Sequence, residues 1–316
     1  MSDLPTAVHI TEEGPREGFQ IEKGPIPTAR KIALIDALSK TGLERIQIVS
    51  FVNPKNVPGM ADADEVVAGI APQPGVAYAA LWLNEKGFER ALAHANRLAT
   101  TGTIQLCASE KFSIRNQNRN AAAQLAGQQA IVAMYQAAGV PVERGSIMAA
   151  FGCNFEGDIP ISHVVALTQQ ILDIAREHGV SLKYITLADT MAWATPLAIK
   201  RTVGALRERF PDMDFALHLH DTRGMAIACA YAGLEMGVTR FDAAVAGLGG
   251  CPFAGHAGAA GNVCTEDLVF MCEEVGIATG IDLDALIECA KLAEDIVGHP
   301  LPGAVMKGGT LKRFRA

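Results

Sequence analysis

Short apolar runs rich in β-branched residues recur along the chain at intervals of roughly 30 to 40 residues, and segments with apolar positions near i, i+3, i+4 and i+7 separate them. The short runs predict strands over residues 7–11, 45–51, 76–82, 103–108, 146–151, 184–187, 215–220 and 240–246. The longer pattern predicts helices over 27–40, 85–100, 120–138, 161–178, 196–210 and 226–236, with two more between 265 and 297. Strands that alternate with helices are the signature of βα units around a parallel sheet. Eight such units predict an α/β chain of the (β/α)8 TIM-barrel class, with extra C-terminal helices and a single catalytic domain over 1–316.

A barrel of this kind carries its chemistry at the C-terminal ends of the strands and in the loops that follow. The unusual polar residues fall there. Arg16 and Glu17 follow the first predicted strand, Ser109 and Glu110 the fourth, and Asp189 and Thr190 the sixth. His218, His220 and Asp221 close the seventh, while Cys251 and Asn262 follow the eighth. An open doubly wound sheet also alternates strands and helices, so periodicity does not exclude it. Its usual fingerprints are missing, since neither a G-x-G-x-x-G turn after the first strand nor a G-x-x-x-x-G-K-[ST] loop occurs.

Composition narrows the partners. With 316 residues, 49% of them hydrophobic, the chain can bury a large core. A net charge of -7, a pI near 5.6 and no run of Lys or Arg point away from nucleic acid and anionic membranes and toward small molecules or proteins. No apolar stretch approaches the roughly 18 to 20 residues of a membrane span, and the first residues lack the order of a signal peptide. A cytoplasmic protein is the expectation. The seven cysteines are odd in number and lack C-x-x-C pairs, so they read as reduced thiols, mostly buried.

The sharpest local feature is F-A-L-H-L-H-D-T. His218 and His220 are two apart on a strand and share a face, so two imidazoles can converge on a divalent cation. The competing reading makes one a hydrogen-bonded core histidine and the other a loop residue. In E-E-G-P-R-E-G-F-Q-I-E-K, Arg16 and Glu17 stand side by side on a Gly-flanked segment after the first strand. They can serve a developing enolate and a metal, or they can belong to a solvated turn. Cys251, in A-G-L-G-G-C-P-F, either delivers a proton from a Gly-rich loop or is a small buried hydrophobe. Asn262 offers an amide oxygen to a hard cation. Asp189 is either a base or orienting group, or the N-cap of the next helix.

Taken together these motifs resemble the hydroxymethylglutaryl-CoA lyase family of metal-dependent barrel lyases. The resemblance runs from about Val8 to Asp295 through G-P-R-E-G-x-Q-x-E-K, S-F-V-N-P-K-x-V-P-x-M-A-D, A-S-E-x-F-S, G-C-N-F-E-G, L-A-D-T, H-L-H-D-T, V-A-G-L-G-G-C-P-F-A and A-G-N-V-x-T-E-D-L. It implies a lyase that cleaves a 3-hydroxyacyl-CoA thioester with Mg2+ or Mn2+, working as a homodimer. It implies Glu17, His218, His220 and Asn262 as metal ligands, Arg16 as the group that stabilises an enolate, and Cys251 as proton donor. Asp189 would assist deprotonation of the substrate hydroxyl, and Lys23, Ser113 and Asn116 lie where the family contacts coenzyme A. Two positions depart from the pattern: Glu17 stands where the family has an aspartate, and Gln47 where a functional glutamate is expected. Arg223 replaces an expected aromatic residue after H-D-T and can pair with a substrate carboxylate. The rival readings are a Claisen-type condensing synthase, which shares the H-x-H motif, and an inactive barrel that only binds.

Overall fold

Arg45–Ser50 holds Ile46, Ile48 and Val49 almost free of solvent, and this β-branched content suits a strand covered on both faces. It is one of eight strands in the computed structural model, which describes residues 4–22, 24–249 and 261–315. The others are β1 (His9–Glu12), β3 (Ala77–Leu81), β4 (Gly102–Cys107), β5 (Val142–Met148), β6 (Tyr184–Asp189), β7 (Asp214–Leu219) and β8 (Arg240–Ala243), with Arg45–Ser50 as β2.

The chain divides into two compact units. Thr100–Arg240 makes one, in which β4, β5, β6 and β7 pair in parallel in sequence order. Helices Ala121–Ala137, Ile161–Glu177 and Pro196–Arg209 connect these strands, as their amphipathic patterns predict. Asn120 and Thr195 cap two of them, accepting from the backbone N–H of Ala123 (2.9 Å) and Ala198 (3.2 Å). The other unit takes Thr6–Ala99 with most of the chain after Arg240. Its strands run β3, β2, β1, β8 across the sheet; β1 and β2 and β2 and β3 pair in parallel, and Glu13 N–H donates to Ala243 O of β8 at 2.8 Å. The two C-terminal helices expected between 265 and 297 are Thr265–Glu274 and Leu283–Val297, the second ended by Gly298 in the left-handed region.

Several elements differ from the sequence reading: the helix expected over 85–100 is Glu85–Leu92, the strand expected over 240–246 is Arg240–Ala243, and Ala63–Gly69 adds a helix between β2 and β3. β5 begins at Val142 and stops at Met148, earlier than residues 146–151, because Arg144 is accommodated in the strand: its Nε donates to Thr186 Oγ1 at 2.9 Å and its guanidinium lies over the Tyr184 ring. Ala149 then turns to φ 54, which ends the strand. The segment after β1, read as a loop, is a π-helical turn over Gly14–Gly18. In β2 the register shifts between Gln47 and Val49, a bulge that periodicity alone does not reveal.

Candidate active site

In the unit of β4 to β7, the register sets Ala188 opposite His218 and Asp189 opposite Leu219. His218 stands one residue before the end of β7 and His220 one beyond it, and strand alternation turns both to one face. Their Nε2 atoms are 3.2 Å apart. His220 Nδ1 lies 2.8 Å from Thr190 O. A carbonyl oxygen only accepts, so Nδ1 carries the proton and Nε2 presents its lone pair. His220 is buried and bonded to a backbone carbonyl, as the core half of the split reading has it, whereas His218 is half-buried on the strand rather than on a loop.

Asp189 ends β6 but does not cap the next helix, a role taken by Thr195. Its Oδ1 accepts instead from the backbone N–H groups of Trp193 (2.7 Å) and Ala194 (3.1 Å), which fixes the turn that follows. Burial pushes the Asp189 carboxyl up to about 6, although those N–H groups and the charges of His220 and His218 pull it down. Ala192, inside that turn, holds φ 54, and Arg223 braces it by donating from Nη1 to Met191 O (2.9 Å) and Ala192 O (3.0 Å). Beside it, Ala192, Trp193, Ala194, Thr195, Arg223 and Met225 line a cleft of about 320 Å³. Part of Arg223 is thus engaged by backbone rather than reserved for a ligand.

In the unit of β1 and β8, the π-helical turn buries both Arg16 and Glu17, which rules out the solvated-turn reading. Each nitrogen of the Arg16 guanidinium has a partner. Nε donates to Gln47 Oε1, Nη2 pairs with Glu13, and Nη1 is 2.9 Å from Glu17 Oε2. Glu12 supports the turn from below, accepting from Gly14 N–H (2.7 Å), Val245 N–H (2.9 Å) and Thr265 Oγ1 (2.6 Å). Asn262 is 1% exposed; its Nδ2 donates to Leu248 O at 3.3 Å, and its Oδ1 has no hydrogen-bond partner among the described residues. Gly249, at φ +98, makes room here: a Cβ would stand 2.5 Å from Asn262 Nδ2 and 3.0 Å from Glu17 Cγ.

These donors fit a divalent cation. The unit of β1 and β8 offers a buried amide oxygen with no hydrogen-bond partner among the described residues and the Glu17 carboxylate, and the unit of β4 to β7 offers two imidazoles, the oxygen and nitrogen donor types that Mg2+ and Mn2+ accept. Groups of His, Cys, Asp and Glu able to hold a metal ion occur among the described residues.

Other expectations meet the structure unevenly. Ser113 is 2% exposed and its hydroxyl donates to Arg119 O at 2.7 Å, so it shapes the end of Glu110–Gln117, while Asn116 on the same helix is half-buried. Lys23 and Cys251 lie outside the described residues. The six cysteines other than Cys251 are buried free thiols, as expected; burial pushes Cys229, Cys272 and Cys289 up to about 12. Glu13 went unnoticed in the sequence. The E-E-G-P-R-E run held the signal, because a helical turn brings positions 13 and 16 together whereas a loop does not.

Strand-end histidines and carboxylates on repeated βα units are the arrangement of the (β/α)8 class, and comparison with known proteins gives the family. The HMGL-like family model matches residues 7–293, and the chain belongs to that family. It is 40% identical to hydroxymethylglutaryl-CoA lyase of Bacillus subtilis over 94% of this chain and 96% of that one. To the human mitochondrial hydroxymethylglutaryl-CoA lyase it is 42% identical, covering 91% and 85%. Among solved structures, the HMG-CoA lyase of Bacillus subtilis superimposes with a TM-score of 0.87 over 100% of both chains at 37% identity. One from Acinetobacter baumannii, in complex with coenzyme A and 3-methylmalate, reaches 0.86 over 99% and 98% at 39% identity.

Proposed function

We propose that this protein cleaves the C2–C3 bond of hydroxymethylglutaryl-CoA or a close 3-hydroxyacyl-CoA analogue, releasing acetyl-CoA and a keto acid. The observation that carries the reading is the buried Asn262 Oδ1, without a hydrogen-bond partner among the described residues and in the same unit as Glu17, in a chain about 40% identical to lyases of that substrate. The CoA-bound relative supports an acyl-CoA ligand.

Glu17, His218, His220 and Asn262 would hold the cation. When bound it would lower the pKa of a coordinated hydroxyl and polarise a neighbouring carbonyl. Asp189, poised near 6 by burial, takes the proton of the C3 hydroxyl. Arg16 holds the thioester oxygen as it gains charge when the bond breaks. Cys251 returns a proton to the acetyl carbon. Lys23, Ser113 and Asn116 are proposed to shape the coenzyme A site. The family model runs through both compact units, which supports one catalytic domain. Among the described residues no helix is long and apolar enough to cross a membrane; a cytoplasmic homodimer completes the proposal, and sedimentation of the purified protein tests its oligomeric part.

The deciding experiment incubates metal-stripped protein with hydroxymethylglutaryl-CoA and related thioesters, with and without Mg2+ or Mn2+, and follows acetyl-CoA by mass spectrometry. Metal-dependent acetyl-CoA release is the expected result. No release from any thioester, together with free CoA formed from acetyl-CoA and a keto acid, would replace the lyase with a condensing synthase.

A further inference from the structure

Position 47 carries an amide where the resemblance leads one to expect a carboxylate, yet Arg16 does not lack a second counter-charge. The turn Gly14–Gly18 brings Glu13 onto Nη2 of Arg16, while the bulge in β2 delivers Gln47 to Nε and Glu17 sits against Nη1. Glu13 is 2% exposed and Arg16 9%, so the pair is formed away from water, where removing one partner leaves the other charge uncompensated. A second buried acid, Asp242 of β8, has a carboxylate oxygen within 4.8 Å of that of Glu13, so a further negative charge lies on this side.

We propose that Glu13 is a positioning residue that takes over the charge absent from Gln47, sharing Arg16 so that Glu17 is left able to bind a divalent cation. It rests on the roles given above to Arg16 and Glu17. The physical reason is a competition. A buried guanidinium needs a carboxylate against it, and a carboxylate shared between that guanidinium and a cation serves each less well. With Glu13 ionised against Nη2, Glu17 can turn its charge to the cation while Arg16 keeps a counter-ion. With Glu13 made neutral, the guanidinium depends more heavily on Glu17 and holds it from the cation. The exchange of Gln and Glu between positions 13 and 47 should therefore be close to neutral, since both side chains bond the same guanidinium and only the position of the charge changes.

The test uses the full chain as wild type, Glu13→Gln, Gln47→Glu and the double variant Glu13→Gln/Gln47→Glu. Mn2+ is titrated into each metal-stripped protein and the free ion is read by electron paramagnetic resonance; thermal unfolding confirms that each is folded. Glu13→Gln should weaken Mn2+ binding about tenfold, the scale seen when a group that orients a metal ligand is lost, and the double variant should return to within about threefold of wild type. Wild-type affinity in Glu13→Gln overturns the proposal, as does a folded double variant no better than Glu13→Gln. Because affinity is read without substrate, a wild type that binds Mn2+ but cleaves no thioester defeats the lyase reading alone.

Discussion

Asn262 shows what a single residue can carry. A buried polar atom without a partner costs about 1–3 kcal/mol in an ordinary interior, so its Oδ1 is kept for something other than stability. Replacing Asn262 with Ala should leave the melting temperature nearly unchanged and weaken Mn2+ binding by more than about tenfold; calorimetry and metal titration read the two separately, and unchanged Mn2+ affinity would remove Asn262 from the ligand set. Glu266, whose Oε1 likewise has no hydrogen-bond partner among the described residues, bears on stability instead. Burial pushes its carboxyl, like that of Glu12, up to about 7 from an ordinary value of 4.5. A folded-state pKa raised in this way favours the protonated form, so its stabilising effect is fully present below about 4.5 and is lost as pH rises toward 7, on the order of 3 kcal/mol for each group. The melting temperature should therefore fall between pH 5 and pH 7.5, and Glu266→Gln should flatten that fall; an identical slope in the variant would mean that Glu266 ionises normally. Neither behaviour is readable from residue type, because burial decides both.

Among the elements, the end of β6 and the turn after it have the most to say. Asp189 Oδ1 holds two backbone N–H groups of this turn while the same carboxyl is proposed to take a proton. Asn at 189 keeps an oxygen for those N–H groups but cannot act as a base, so Asp189→Asn should fold and bind Mn2+ while kcat drops by about 10² to 10⁴. In the wild type, activity should decline as pH falls below about 6, where Asp189 gains its proton; a flat pH–rate profile from 5 to 7 would assign the base elsewhere. The strand itself was legible because Tyr184–Asp189 is an apolar run between polar segments. Its C-terminal turn was not, since Ala192 at φ 54 has no residue signature and is held by tertiary contacts from Arg223. The first turn after β1 failed in the same way: Gly and Pro at its start read as a loop, whereas burial of Arg16 and Glu17, with Gln47 and Glu13 bonded to the guanidinium, stabilises a π-helical turn.

For the molecule as a whole, metal binding and folding are linked, because a cation that binds only the folded chain stabilises it by about 2.7 kcal/mol at a hundredfold excess over Kd. Mn2+ should raise the melting temperature of the stripped protein by several degrees, and His218→Ala/His220→Ala should show no such rise; an equal rise in that variant would place the cation elsewhere. The sequence by itself determined the order of eight strands, most of the intervening helices, the family, and the residue types that carry chemistry, because periodicity and motif spacing are local and survive any arrangement in space. Only the tertiary structure decided how those residues are used. Arg16 finds Gln47 through a bulge and Glu13 through a turn, Asn262 Oδ1 is buried without a partner among the described residues, and Asp189 is raised toward neutral pH by its surroundings. Each of these depends on distance and solvent exclusion between parts of the chain remote in sequence or on backbone conformations that packing imposes, and neither quantity is written in residue order.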